Sequence, residues 1–137
     1  MAHTKFTVEV LTPEGDVFTD EVEMISTRTT LGLIGILANH APLLGTLEPT
    51  ELRLHRSDSE VLRFAQSEGY LQVGGNHAML LVEDAQPVDQ LDSTRLRERL
   101  AEAEREIQQA GEDSERRRIA LRDQKRWQVF LQIAEGR

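Results

Sequence analysis

The stretch that decides the fold runs from Leu31 to Pro49 and reads LGLIGILANHAPLLGTLEP. It is too apolar for an exposed loop, and it contains too many glycines and prolines for a long helix. Its apolar run is broken far short of the roughly 20 residues that a membrane-spanning helix needs. We therefore predict a buried, kinked crossing between two parts of a β-sheet, with Leu37, Leu43 and Leu44 in the core.

Short segments on both sides of this stretch alternate apolar and polar residues, which is the pattern of half-buried β-strands. Two turns punctuate them: Thr12–Gly15, with proline second and glycine fourth, and the glycine-rich segment 74–76. Many short strands at this spacing predict a ten-stranded antiparallel β-sandwich over residues 1–87. The alternating residues are Phe6, Val8 and Val10, Val22 and Met24, Leu52 and Leu54, Leu62 and Phe64, and Leu71 and Val73.

The hydrophobic period becomes helical near Val88. An apolar stripe with steps of four and three residues predicts a first helix, preceded by Asp92 or Ser93 as N-cap and stopped by Gly111. A second helix is predicted from about Asp113 to Ala134. The short connection makes the two helices an antiparallel hairpin over residues 88–137, so the predicted fold class is α+β, with two domains. The stripe consists of Leu96, Leu100, Ala103, Ile107 and Ala110.

Composition and charge exclude several classes of function. Of the 137 residues none is cysteine, so disulfides and thiolate metal sites are absent. The net charge of −8 lies entirely in residues 1–87, and such an acidic surface argues against binding nucleic acid. The start of the chain has no apolar signal segment, and no run is long enough to insert into a membrane. We expect a soluble protein that could still attach to a membrane complex.

The sequence carries no recognisable catalytic or metal-binding motif. Its four histidines, His3, His40, His55 and His77, lie in different elements and do not have the spacing of metal ligands. No phosphate-binding loop and no nucleophile motif is present. We therefore predict no catalytic residue and no metal site, so that function depends on what the chain binds.

The stretch from Leu31 to Pro49 resembles a segment of the epsilon subunit of F-type ATP synthases, which typically reads L-G-I-L-P-x-H-A-P-L-L. The resemblance extends from Val8 to Ala134. Three features depart from the family pattern: Leu33 where an acid is frequent, Ala38 where proline is frequent, and Glu48-Pro49-Thr50 in place of a Pro-Gly ending.

The resemblance implies a non-catalytic subunit of the central stalk, which couples rotation to ATP synthesis and inhibits ATP hydrolysis through its C-terminal helices. The implied partners are the gamma subunit, the membrane ring of c subunits and the alpha/beta catalytic head. The implied location is the cytoplasmic face of the bacterial plasma membrane, as a peripheral part of the complex. The sandwich would be the rotor-docking domain and the hairpin the regulatory domain. The alternatives are a purely structural rotor subunit without switching, or an ATP-sensing module.

Two sets of residues are candidates for partner contact. Gly32, Leu33, Asn39 and His40 would touch a partner at one end of the sandwich, the alternative being that this segment is simply a core crossover. On the second helix, a basic ridge that includes Lys125 lies beside an apolar C-terminal end, and it would either dock on another subunit or let the helix tip pack back on the sandwich. The candidates for this contact are Arg118, Arg122 and Arg126 of the ridge and Phe130 of the apolar end.

The start of the first helix is similar to the I-D-x-x-R-A motif with which some bacterial epsilon subunits bind ATP. Leu91, Asp92 and Arg95 match or approximate that motif, and Lys125 keeps a basic residue that the family site uses further along. Glu102 replaces another. ATP is thus a possible regulatory ligand, and the resemblance implies no other cofactor.

Overall fold

The computed structural model describes residues 3–136, and the chain divides into two compact units that meet at Pro87 and Val88. The described part of the first unit contains ten strands: β1 (Phe6–Thr12), β2 (Gly15–Val22), β3 (Met24–Thr29), β4 (Gly32–Leu37), β5 (Leu43–Leu47), β6 (Thr50–His55), β7 (Val61–Gln66), β8 (Gly69–Gly74), β9 (His77–Val82) and β10 (Ala85–Pro87). The second contains a short 3₁₀ turn (Val88–Gln90) and two helices, α1 (Ser93–Ala110) and α2 (Ser114–Gly136). The predicted α+β class is confirmed.

The strands form one sheet in the order β10-β7-β6-β3-β5-β8-β9-β1-β2, and β4 pairs with β3 outside this path. The ladders among the described residues are antiparallel, except that β1 and β9 run parallel. The predicted antiparallel sandwich is therefore confirmed, and the parallel pair is an addition that the sequence did not indicate. Hairpins join neighbouring strands of opposite direction, but β1 and β9 are far apart in the chain, so no hairpin constrains their direction. The fully buried core includes Val8, Val10, Val22, Ile25, Leu52, Leu54, Leu71 and Leu80.

We predicted that the stretch from Leu31 to Pro49 is a buried crossing. Instead, it forms two strands in which exposed and buried side chains alternate. Ile36 in β4 and Leu47 in β5 are buried, whereas 45% of Leu37 and 78% of Leu44 are exposed. Leu43 packs against the core, as predicted. The prediction was wrong for Leu37 and Leu44 because successive side chains of a strand point to opposite faces, whatever the overall composition.

The helical hairpin begins and ends where its capping residues indicate. The Asp92 carboxylate accepts a hydrogen bond from the Arg95 backbone N–H at 3.2 Å, and α1 ends at Gly111, whose φ of 56° suits glycine. The Asp113 carboxylate accepts from the Arg116 backbone N–H at 3.1 Å and caps α2 in the same way.

Polar contacts join α1 to α2. The Arg116 guanidinium donates twice to the Glu106 carboxylate, at 2.9 and 2.6 Å, and Arg97 donates to Glu135 at 2.9 Å. The Arg99 guanidinium lies 4.9 Å from the centre of the Trp127 ring.

Neither helix within residues 3–136 has both the length and the apolar character needed to cross a membrane.

Candidate partner-binding surfaces

An apolar groove of about 790 Å³ lies on the outside of the sandwich. The register of the strands explains which residues form the bottom of this groove. Tyr70 in β8 pairs with both Leu81 in β9 and Thr46 in β5, and paired residues project from the same face of a sheet. Leu44 lies one row away, opposite Gln72. Leu31 and Leu33, from the β3–β4 turn and the start of β4, also line it. We call this surface, lined by Leu31, Leu33, Leu44, Tyr70 and Leu81, the apolar groove.

The side chains of the apolar groove are strongly exposed. Leu31 is 98% exposed, Leu33 72% and Tyr70 62%. Scattered apolar residues are normal on protein surfaces, but a contiguous patch of large ones is typical of a binding surface. Of this set, sequence reasoning selected only Leu33. Leu44, Tyr70 and Leu81 could have been found, because each occupies an outward position in a strand whose alternate residues form the core.

The residues predicted to form one contact at an end of the sandwich are divided by the structure. Gly32 and Leu33 begin β4 and line the apolar groove, whereas Asn39 and His40 follow the other end of that strand. We call residues 38–42 the His40 loop. The His40 ring Nδ1 lies 2.7 Å from the Ala41 carbonyl oxygen, and the His40 backbone N–H donates to the Leu37 carbonyl at 3.3 Å. The predicted set therefore belongs to two separate surfaces.

Two of the predicted nucleotide-binding residues, Leu91 and Asp92, have structural roles. Leu91 is buried, and Asp92 uses its carboxylate as the N-cap of α1. The Arg99 guanidinium of α1 lies over the Trp127 ring of α2. Lys125, two residues before Trp127, therefore lies beside a part of α1 that is about two helical turns beyond Asp92.

A groove of about 400 Å³ does lie between the helices, but three carboxylates line it, those of Glu102, Glu106 and Asp123. Two arginines line it as well. Arg116 pairs with Glu106, and Arg99 covers the Trp127 ring. A triphosphate needs several available cations, so this groove is poorly suited to one.

The predicted basic ridge on α2 is only partly a surface. The side chains of Arg118 and Arg122 are 62% and 41% exposed and pair with acids on their own helix, Glu115 and Asp123. Arg126 is buried, with its guanidinium 5.3 Å from the Trp127 ring centre.

The predicted partner contact through Phe130 is not available in this structure. Phe130 is completely buried, with its ring edge-on to that of Trp127 at a centroid distance of 5.6 Å. The prediction rested on the apolar C-terminal end of the second helix. Instead, the large ring fills the core of the unit, and its neighbours are the ones left partly exposed.

Ionisable groups with shifted pKa values lie away from both grooves. A hydrogen bond from Arg63, with help from Arg53, lowers the pKa of Glu51, and Arg118 lowers the pKa of Glu115. Both are ion pairs with exposed arginines, not acid–base pairs in a cleft. Among the described residues, no three or more His, Cys, Asp or Glu side chains are arranged so that they could hold a metal ion.

Comparisons with known proteins agree with this architecture. Residues 5–88 match the family model of the beta-sandwich domain of the ATP synthase delta/epsilon chain. The ATP synthase epsilon chains of Sulfurihydrogenibium sp. and Herpetosiphon aurantiacus are 32% and 36% identical to this chain, and the alignments cover 96% and 95% of it and 98% and 94% of those proteins. A chain in the cryo-EM structure of the Euglena gracilis mitochondrial ATP synthase, OSCP/F1/c-ring, shares the fold, with a TM-score of 0.74 and 20% identity over 91% of this chain and 78% of that one. The chain therefore belongs to the family of ATP synthase epsilon chains, subunits of that complex that are not themselves catalytic, as its sequence predicted.

Proposed function

We propose that the sandwich docks on the rotor of a bacterial F-type ATP synthase, at the cytoplasmic face of the plasma membrane, and helps to couple rotation to ATP synthesis. The observation that carries this proposal is the apolar groove. Exposed leucines are costly in water, and a permanent interface is the usual place where such side chains are covered. We assign the gamma subunit to the apolar groove.

Two exposed leucines provide the test of the groove. Replacing both Leu31 and Leu44 with glutamate puts charge into the interface but changes no core residue. We expect the double variant to melt like the wild type and to bind the gamma subunit about 100-fold more weakly, because two apolar side chains no longer bury their surface and two unpaired charges enter the interface. Co-purification and titration with the gamma subunit measure this. The matched control is Val61→Glu, an exposed apolar residue of β7 outside the groove. Unchanged gamma binding by the double variant would refute the assignment.

We further propose that the hairpin inhibits ATP hydrolysis by extending toward the alpha/beta catalytic head. Supporting this, Arg118 and Arg122 are exposed on α2, and so are Ile119 and Leu121, a combination suited to an acidic and partly apolar partner surface. The purely structural alternative predicts that changes in α2 leave hydrolysis unaltered.

The inhibitory role is tested by ATP hydrolysis in the reconstituted complex. Both deletion of residues 88–137 and the charge reversal Arg118→Glu with Arg122→Glu should raise the rate. Arg105→Glu, an exposed change on α1, is the control. If the rate is the same with all of these chains, the hairpin is structural only.

The ATP-sensing alternative has less support, because the groove between the helices is lined by three acids. We expect isothermal titration with ATP to give no saturable heat. Saturable binding that is lost in Arg95→Ala would restore that alternative.

A further inference from the structure

Three strands of the sandwich pair on one side only, among the described residues: β2 with β1, β10 with β7 and β4 with β3. The open side of such an edge strand can pair with another chain, and proteins usually block it with charge, proline, a bulge or short length. β2 carries Asp16, Asp20 and Glu21, and its ladder with β1 has a register shift. β10 has only three residues and ends in Pro87. Both of these edges are therefore protected.

The edge strand β4 has none of these protections. Its six residues read GLIGIL, with no charge and no proline, and its ladder with β3 has no register shift. Leu33 and Leu37 are 72% and 45% exposed, and Gly35 between them is exposed as well. Of the three edges in the described sheet, β4 is the apolar and unprotected one.

The hydrogen bonds of β3 show which backbone groups of β4 point toward its open side. The Arg28 carbonyl accepts a hydrogen bond from the Glu48 backbone N–H at 3.0 Å, so the backbone groups of Arg28 point away from β4. Leu33 lies opposite Arg28 in the ladder. In antiparallel ladders, residues that exchange hydrogen bonds with the opposite residue alternate with residues that do not. Leu33, Gly35 and Leu37 therefore direct their N–H and C=O groups toward the open side.

The sequence of β4 is complementary to itself in one antiparallel register. Residues 33–37 read LIGIL, the same in both directions. When two copies of the strand meet with Gly35 opposite Gly35, each Leu33 lies opposite a Leu37. These are the pairs that exchange hydrogen bonds, because their backbone groups point toward the open side. On the other face, each Ile34 lies opposite an Ile36 and extends the apolar core across the junction.

We propose that β4 is a self-pairing edge, to which a second copy of this chain adds its own β4 about a two-fold axis at Gly35. This inference does not depend on what covers the apolar groove. Each copy contributes six residues, whereas a lasting interface takes roughly 20–30 a side, so the pair is transient, with a dissociation constant on the order of 100 μM. Each copy also carries a net charge of −8, so added salt should strengthen the pairing by screening that repulsion.

Sedimentation of the full-length chain over a range of concentrations up to several times that constant measures the pairing. We expect Leu37→Lys to weaken it by about tenfold or more, because an ammonium group would lie against Leu33 of the second copy. Val61→Lys is the matched control, because Val61 is 37% exposed on β7 and lies outside the edge. Both variants should melt like the wild type, since neither changes a core residue.

Disulfide cross-linking tests the register independently. The chain has no cysteine, so Leu33→Cys and Leu37→Cys each introduce a single thiol. A mixture of the two variants should cross-link under a mild oxidant, because the Cα atoms of the paired positions lie about 5.5 Å apart. Either variant alone should cross-link slowly, because its two thiols would be four residues apart, or about 13 Å.

Three results would each overturn the proposal. The first is a wild-type chain that stays monomeric at every concentration and salt level. The second is an equal loss of pairing in Leu37→Lys and Val61→Lys, which would place the contact elsewhere or make it non-specific. The third is cross-linking of Leu33→Cys with itself as fast as in the mixture, which would contradict the antiparallel register.

Discussion

The sandwich buries seventeen apolar side chains in one continuous core, whereas the hairpin buries nine apolar side chains, four of them alanines, among the residues described. The hairpin has the smaller apolar core. Arginine side chains partly compensate for this by contacting the opposite helix, at Glu106, Glu135 and the Trp127 ring. Exposed ion pairs contribute little free energy, so the hairpin depends on a few large rings. The sandwich is thus suited to hold a docking surface rigidly, and the hairpin is suited to rearrange.

The chain offers separate reporters for this comparison. Its single tryptophan, Trp127, lies in α2, and its single tyrosine, Tyr70, lies in β8. Selective excitation of tryptophan therefore follows the hairpin, and the NMR signals of the strand amides, which serve as the strand signal, follow the sandwich.

The largest expected effect is on the hairpin. Phe130→Ala empties a completely buried ring position and should cost about 3–5 kcal/mol of unfolding free energy. For so small a unit this is enough to unfold the helices while the sandwich remains folded. Urea unfolding monitored by Trp127 fluorescence measures the loss, and Leu121→Ala, at a residue 44% exposed, is the control and should change little. Equal shifts of the tryptophan and strand signals would mean that the two units unfold together.

A comparable effect on the sandwich should come from one added methyl group. A Cβ at Gly69 would collide with the Leu81 backbone carbonyl and come within 2.8 Å of the Val82 Cα, so strand β9 would have to move. We expect Gly69→Ala to cost about 3 kcal/mol, at the upper end for overpacking. Gly74→Ala, at the other end of β8, meets open space and should be nearly neutral. The strand signal in urea measures both, and equal effects of the two substitutions would contradict the crowding argument.

Sequence alone was sufficient for features that depend on local patterns. The alternation of Val8 with Val10 identified a strand, and the chemistry of Asp92 and Gly111 located the ends of α1 within one residue. It was insufficient where two distant segments determine the outcome. Nothing near Leu44 indicates that it faces outward, except the strand period, which the prediction from composition overlooked.

The candidate sites were less predictable than the fold for the same reason. Sequence placed Leu33 and His40 in one contact because they are neighbours in the chain, but an intervening strand separates them. It included Asn39 but gave no sign of the hydrogen bonds between Asn39 and Asn76, since hydrogen bonds between two loops leave no periodic signal. Phe130 was assigned to a partner because an apolar helix end does not reveal whether its own chain covers it.

The smallest expected effect compares one glutamate from each unit. Arg63, with Arg53, lowers the pKa of Glu51 below its ordinary value of 4.5, and the Glu51 side chain is only 18% exposed. Because the folded pKa is the lower one, the stabilisation is present above pH 4.5 and is lost as pH falls through the folded value. Glu51→Gln should therefore cost up to about 1 kcal/mol at neutral pH, after allowance for solvent screening of the exposed arginines, and less at pH values about one unit or more below 4.5. Arg118 also lowers the pKa of Glu115, but both side chains are largely exposed, so Glu115→Gln should leave unfolding unchanged at either pH. Urea unfolding of both variants and the wild type at two pH values measures these differences in unfolding free energy. If the two substitutions cost the same free energy, then burial of Glu51 against the sheet does not strengthen its ion pair with Arg63.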